Sequence, residues 1–343
     1  MEKILVALSG GVDSSFAAAL LKEDNFDVEA AIMCFQGVLQ DDIEYARSAA
    51  QALGVPFHCF DFAKEYQKII VDNFIQEYRK GRTPNPCILC NKHIKFDLFV
   101  RTAAKMNIEK IATGHYARIE KKDGRYLLQR GKDKNEQSYF LYRLDQQQLA
   151  QTILPLGLYT KQQVRKLAKK IHLPTVARKK SQDVCFIPDG DYVSYLKKFL
   201  HPTPGPIMDK RGNVIGKHDG IFSYTYGQRR GLGISHKHPY YVIKIDAQNN
   251  AVYVGEEKDI YKSRLVATDV HFIPFDTLEK PLEVMAKPRY VSPGSSATIE
   301  PLAEQKVSVT FKKPQMALTP GQSVVFYQDD VVVGGGIIEE VTN

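Results

Sequence analysis

Over the first 115 residues short apolar blocks alternate with stretches of helical spacing. Ile4–Leu8 is an apolar run that leads into Ser9-Gly10-Gly11, and the SSFAAALLKE after it has the composition of a helix. Val28–Phe35 and Pro56–Phe60 repeat the strand pattern, and residues 41–53 between them have helical spacing. Further helices are predicted over 62–79 and Asn91–Met106, and Ile108–Thr113 reads as a strand. Strands joined by helices of this length imply right-handed crossovers and a parallel sheet covered on both faces. A β-ribbon (YARIEKKDGRYLLQR) follows, then helices to about Leu200.

The pattern changes at His201. HPTPGPIMDKRGN is rich in Pro and Gly, and YYVIKID and AVYVGEE flank a turn at Gln248–Asn250, a hairpin signal. From Val266 onward six strand-like runs follow, VATDVHFI, LEVMAKPRY, SATIEPL, KVSVTF, SVVFYQD and VVVGGGIIEEV, which argue for a small antiparallel barrel. The expected organisation is therefore an α/β parallel-sheet domain over 1–200, a small β-rich central domain over 201–262 and a β-barrel over 263–343.

A chain of 343 residues suits two or three domains, and 43% hydrophobic content is enough to bury their cores. No window approaches the ~20 apolar residues of a membrane span, so no membrane association is expected. MEKILVALSGG has neither a secretory cleavage pattern nor a transit-peptide composition, which predicts a cytoplasmic protein. The net charge of +8 is unevenly spread: residues 118–230 carry 23 Lys and Arg against 10 Asp and Glu. Such an excess fits a phosphate-backbone footprint, although a solvated helix face around Lys161, Arg165, Lys166, Lys169 and Lys170 would also produce it.

Ser9-Gly10-Gly11-Val12-Asp13-Ser14-Ser15 stands between the first strand and the first helix. Glycines let the backbone turn tightly, and the helix N-terminus offers free N–H groups and a positive dipole, which together suit a phosphate. The loop lacks the GK[ST] of Walker A and the G-x-G-x-x-G of dinucleotide folds. A glycine turn with a serine cap would not call for Asp13. SGGVDSS resembles the PP-loop of ATP pyrophosphatases, which cleave ATP to AMP and pyrophosphate. Ligands in such sheets lie beyond the C-terminal strand ends, so Met33 and Gly114-His115 are expected at the same crevice.

Five cysteines without a signal sequence do not suggest a disulfide framework. Cys34 and Cys59 lie in apolar strand-like runs and are expected in the core. Cys87, Cys90 and Cys185 sit among Pro, Asn, Lys and Asp, where packing gives no reason for a thiol. With a helix expected to begin near Asn91, Cys90 would lie at its N-terminus beside Lys92 and Lys95, which favours thiolate. CxxC alone is ambiguous between zinc, redox and iron–sulfur chemistry. A closed zinc site wants four ligands, and His93 would be a poor fourth beside three thiols.

In order, SGGVDSS, RTPNPC-ILCNKHIKF, ATGHYAR, NEQSYFLY, SQDVCFIP, GQRRGLG and TPGQSVVFY resemble the tRNA 2-thiouridylase family over nearly the whole chain. That family has a PP-loop domain of the adenine nucleotide alpha hydrolase-like type, a small central domain and a C-terminal β-barrel. The resemblance implies ATP-dependent 2-thiolation of the wobble uridine, U34, of tRNA through an adenylated base. Ala7, Leu8, Ser9, Gly10, Gly11, Val12, Asp13, Ser14, Ser15, Met33 and Gly114 would hold ATP and Mg²⁺. Cys90 would be the nucleophile and Cys185 the persulfide carrier, with a transient disulfide between them, and Asp13 would serve catalysis. Asn85, Pro86 and Cys87 would face the target base. His115, Asn135, Glu136, Gln137, Arg289, Tyr290 and Gln322 would contact tRNA, in the family the Lys, Glu and Gln acceptors. The sulfur would come from a cysteine desulfurase or a sulfur-relay protein.

Two departures stand out. Position 87, often Asp in the family, is Cys here, and the stretch after Phe35 is shorter than usual. The extra thiol admits a second version in which Cys87, Cys90 and Cys185 ligate a [4Fe–4S] cluster whose fourth iron holds sulfide. Two other classes compete with a thiouridylase. A PP-loop ligase acting on a small substrate would leave the basic middle third and the barrel without a role. A non-catalytic tRNA-binding protein would leave Asp13 and the thiols without one.

Overall fold

A computed structural model describes residues 1–177, 184–234 and 238–343. The chain forms two compact units: residues 1–70, 87–190 and 330–332 make the first, and 71–86, 191–329 and 333–343 the second.

The first unit is built on a parallel sheet of β1 (Lys3–Ala7), β2 (Asp27–Cys34), β3 (Phe57–Asp61), β4 (Lys110–Ala112) and β7 (Thr152–Ile153), in the order β3-β2-β1-β4-β7. Central β1 has Ile4, Leu5 and Val6 fully buried, as expected of a strand covered on both faces. Leu21 and Ala18 of α1 (Val12–Glu23) and Ala46, Ala49 and Ala50 of α2 (Gln40–Leu53) close one part of its core. Phe16 and Ala17, on the other side of α1, pack with Val164 and Ala168 of the helix Lys161–Lys170. A hairpin of β5 (Ala117–Lys122) and β6 (Arg125–Arg130) is the expected ribbon.

Three expectations for this unit need correction. Cys59 is exposed and Cys34 only half-buried, because β3 is the edge strand and is covered incompletely. The helix expected from Asn91 begins at Pro86, runs through a π-helical stretch at Cys90–Leu98 and ends at Lys105. A proline at the first helical position has no N–H to lose, so Pro86 starts the helix readily. The region after the ribbon is not continuously helical. Pro155 and Pro174 break it into short turns around the helices Gln146–Ala150 and Lys161–Lys170, and it supplies β7; the helix Tyr192–Leu196 already belongs to the second unit.

In the second unit, β8 (Gly205–Met208), β9 (Val214–His218), β10 (Tyr241–Asp246) and β11 (Ala251–Gly255) form a sheet in the order β10-β11-β8-β9. The proline-rich segment is thus a hairpin, whose turn is held by Asp209 accepting from the N–H groups of Arg211 and Asn213. All six runs of the expected barrel are strands: β12 (Tyr261–Phe272), β13 (Leu282–Lys287), β14 (Ser295–Ala303), β15 (Lys306–Met316), β16 (Ser323–Gln328) and β17 (Val331–Thr342). Their order is β12-β15-β14-β13-β16-β17, and antiparallel pairing of β12 with β17 closes the ring. Leu265, Val309, Leu318, Phe326 and Ile338 fill its interior.

Residues 71–86 belong to this unit. Arg82 pairs with Glu77 at 2.7 Å and with Glu339 at 2.6 Å, and Thr83 N–H donates to Pro320 O. Among the described residues no helix is long and apolar enough to cross a membrane.

Candidate active site

The loop after β1 is braced from within. Gly10 takes φ +70°, a left-handed conformation that favours glycine. Ser9 N–H donates to Ser14 Oγ at 3.1 Å, and the Ser14 and Ser15 hydroxyls donate to Gly11 O at 3.1 and 3.0 Å. Both serines are buried, so their hydroxyls hold the turn, and the N–H groups of the first helical turn are the groups a phosphate would meet. Gly114, just past β4, touches this turn: a Cβ there would lie 2.7 Å from Ser14 N. The loop and the end of β4 therefore share one crevice, and Met33 lies on the same edge of the sheet, one residue before the end of β2.

Asp13 has partners that sequence reasoning missed. Tyr116 Oη donates to its carboxylate at 2.8 Å, and Lys161 Nζ stands 3.6 Å away. Burial first, then the Asp13 charge, pushes the Tyr116 hydroxyl well above its ordinary pKa, so it remains a donor. Lys161 also lies over the Tyr116 ring, 5.6 Å from its centroid, and its N–H donates to Asp133 Oδ2 at 2.6 Å. Tyr116 sits inside the ATGHYAR motif and could have been singled out. Lys161 looks like any other residue of a basic helix. Mg²⁺ takes oxygen ligands, commonly one or two carboxylates with substrate phosphates, and Asp13 is a carboxylate of that kind at the loop.

The thiols converge in the same unit. The Tyr66 hydroxyl lies 3.1 Å from Cys185 Sγ, and burial, followed by the electrostatic influence of Cys185, Cys90 and Cys87, pushes its pKa up. Cys185 is exposed, Cys87 half-buried and Cys90 buried, and none of the five cysteines is in a disulfide. The expectation of a thiolate at Cys90 is overturned. Burial pushes its pKa up to about 12; Lys95 opposes the shift, and Cys185 and Cys87 add to it. Since the helix begins at Pro86, Cys90 lies a full turn inside it, where the dipole field has faded. Alkylation at pH 8 should therefore label exposed Cys59 and leave Cys90 almost untouched, with Cys90 labelling rising only as the pH approaches 12. Peptide-resolved mass spectrometry checks this, and rapid Cys90 labelling at pH 8 would refute it.

An iron–sulfur cluster does not fit this arrangement. Among the described residues no three His, Cys, Asp or Glu side chains are grouped closely enough to hold a metal ion. Lys179, Lys180 and Ser181-Gln182-Asp183, the residues before Cys185 in its motif, lie outside the described residues.

The expected tRNA contacts divide between the units. In the first, half-buried His115 is bonded to the Thr113 hydroxyl at 2.8 Å, and burial with Lys95 drives its pKa down to about 3. It is therefore neutral and offers hydrogen bonds, not charge. Asn135, Glu136 and Gln137 bind their own loop: Asn135 donates to Asp133, Glu136 accepts from Ser138 N–H, and Gln137 accepts from Tyr116 N–H. In the second unit, Gln322 Nε2 donates to Thr83 O at 2.9 Å, which holds the backbone just before Asn85 and Pro86. Arg289 donates to Ala317 O, and Lys287 lies over the Tyr290 ring.

Comparison with known proteins covers the whole chain. Residues 2–189 match a tRNA methyl transferase HUP domain, 193–256 a tRNA methyl transferase PRC-barrel domain, and 262–338 an aminomethyltransferase beta-barrel domain. The tRNA-specific 2-thiouridylase MnmA of Clostridium beijerinckii is 46% identical, with 99% of each chain covered. The protein of the same name from Clostridioides difficile is 45% identical, over 99% of this chain and 98% of that one. Among solved structures, the NMN synthetase of Francisella tularensis aligns over 52% of this chain and 66% of its own, at 18% identity and a TM-score of 0.36. With all three domains matched in order and relatives this similar from end to end, the chain belongs to the tRNA-specific 2-thiouridylase family.

Proposed function

We propose that this protein uses ATP to replace the C2 oxygen of the tRNA wobble uridine with sulfur. The observation that carries the reading is the presence, within one compact unit, of a braced phosphate loop and the three motif thiols Cys87, Cys90 and Cys185. The chemistry needs both. A uridine C2 oxygen is a poor leaving group. Attack of that oxygen on the α-phosphate of ATP expels pyrophosphate and turns the oxygen into part of an AMP leaving group. The N–H groups at the start of α1 would hold the phosphates. Asp13 would hold Mg²⁺, which supplies charge neutralisation on them.

Sulfur arrives as a persulfide on Cys185, from a cysteine desulfurase or a relay protein. Its terminal sulfur attacks C2 and AMP leaves. Cys90 then attacks the inner sulfur, and its proton is passed, by way of solvent, to N3 of the thiolated base. The old S–S bond breaks, its electron pair remains on the sulfur at C2, and a Cys90–Cys185 disulfide forms. An external dithiol must reduce that disulfide before the next cycle. Asn85, Pro86 and Cys87 would face the base. His115, Asn135, Glu136, Gln137, Arg289, Tyr290 and Gln322 would contact tRNA, with the Lys, Glu and Gln acceptors as substrates.

The test is to incubate the protein with ATP, Mg²⁺, a persulfide donor and unmodified tRNA, and to look for 2-thiouridine by mass spectrometry. One AMP should appear per thiolated base. AMP formation without tRNA, on a small acceptor, would favour a ligase. The basic stretch 118–230 also predicts that tRNA affinity falls steeply between about 50 and 200 mM salt as counterions are released. Filter binding checks this, and a flat salt response would exclude that surface as a phosphate track.

A further inference from the structure

Cys185 is exposed, yet three contacts hold it. Gly37, in the turn after β2, presses on its backbone: with φ +95°, a Cβ at Gly37 would lie 2.2 Å from Cys185 O, so only glycine allows the approach. The neighbouring Phe186 is buried and meets the Tyr66 ring edge-on at 6.0 Å and 77°. The third contact is the Tyr66 hydroxyl itself, 3.1 Å from Cys185 Sγ.

Tyr66 is 1% exposed, and its ring stacks flat on Phe35 at 4.2 Å and 2°. A ring clamped between Phe35 and Phe186 cannot swing, so its hydroxyl is a fixed point beside the Cys185 sulfur. The phenolic O–H is a much stronger donor than a thiol, and a sulfur that has lost its proton can only accept. Cys185 would lack that proton whenever it takes up sulfur or yields it. The hydroxyl is thus bonded to the sulfur at the moments when its direction matters.

We propose that Tyr66 is the positioning residue of sulfur transfer: its hydroxyl aims the Cys185 sulfur toward Cys90. The role rests on the thiouridylase reading above. It accounts for a buried tyrosine where phenylalanine would fill the same space, and for the glycine at position 37.

Tyr66→Phe keeps both ring contacts and removes only the bond to sulfur. In that variant, kcat for thiolation should drop about tenfold, the scale of one hydrogen bond to a reacting group. KM for tRNA and tRNA-dependent pyrophosphate release in a single turnover should be unchanged. Independently of tRNA, closure of the Cys90–Cys185 disulfide by diamide, followed by peptide mapping, should slow to a similar degree. Tyr66→Leu, which also removes the ring, should lower the melting temperature, whereas Tyr66→Phe should not. Unchanged closure and unchanged kcat in Tyr66→Phe would overturn the proposal. Slow closure in a protein that never thiolates tRNA would uphold Tyr66 while sinking the thiouridylase reading.

Discussion

Asp13→Ala should abolish thiolation, lowering turnover by about 10²–10³-fold or more, the scale seen when one group that stabilises transition-state charge is removed. tRNA affinity should stay within a few-fold, because Asp13 lies in the phosphate loop. The variant also strips the Tyr116 hydroxyl of its 2.8 Å partner and Lys161 of its counter-charge. An unmatched buried hydroxyl costs about 1–3 kcal/mol, so some loss of stability should accompany the loss of activity. Asp13→Asn separates the two effects. Its amide oxygen still accepts from Tyr116, so stability should return, while the lost charge keeps the enzyme inactive. Loss of tRNA binding in either folded variant, measured by filter retention, would contradict this assignment.

The second large effect concerns the thiols. Cys90→Ala and Cys185→Ala should each reduce thiolation to background, since in the proposed mechanism one supplies the attacking thiol and the other carries the sulfur. Cys87→Ala should keep most of its activity, and anaerobically prepared protein should be colourless and active with a persulfide donor. A brown protein with about four irons per chain, losing cluster and activity together in Cys87→Ala, would establish the cluster version instead. Cys87→Asp restores the residue common at this position in the family and should be tolerated.

Much of this architecture is legible in the sequence because it rests on local pattern. The alternation of apolar blocks and helical spacing locates four of the five parallel strands, and six strand-like runs with turns between them become six barrel strands. Burial depends on neighbours far along the chain, and there the reading fails. Cys59 looks like core because its run is apolar, but nothing local marks β3 as the sheet edge. At two residues, β7 is too short to show any periodicity. Cys90 was expected beside a helix start, yet the Pro86 that moves that start by a turn was visible and carried the opposite message. In the candidate site, the loop and the thiols announce themselves by residue type. Tyr66, Tyr116 and Lys161 act through contacts with distant partners, and no spacing rule reports those.

The barrel's closing pair has a consequence for how the protein is made. β12 and β17 are its first and last strands, and they hydrogen-bond to each other. At a ribosomal rate of about 5–20 residues per second, β12 waits on the order of several seconds before β17 is synthesised. Throughout that interval the nascent chain displays an unpaired strand edge on β12, joined just before β17 by one on β16, each open to pairing with another chain. Glu339, the partner of Arg82, emerges with β17 as well, so the segment leading to Asn85 gains its last anchor only then. Ribosome-stalled chains lacking β17 should therefore be more prone to aggregation and to holdase capture than chains a few tens of residues longer.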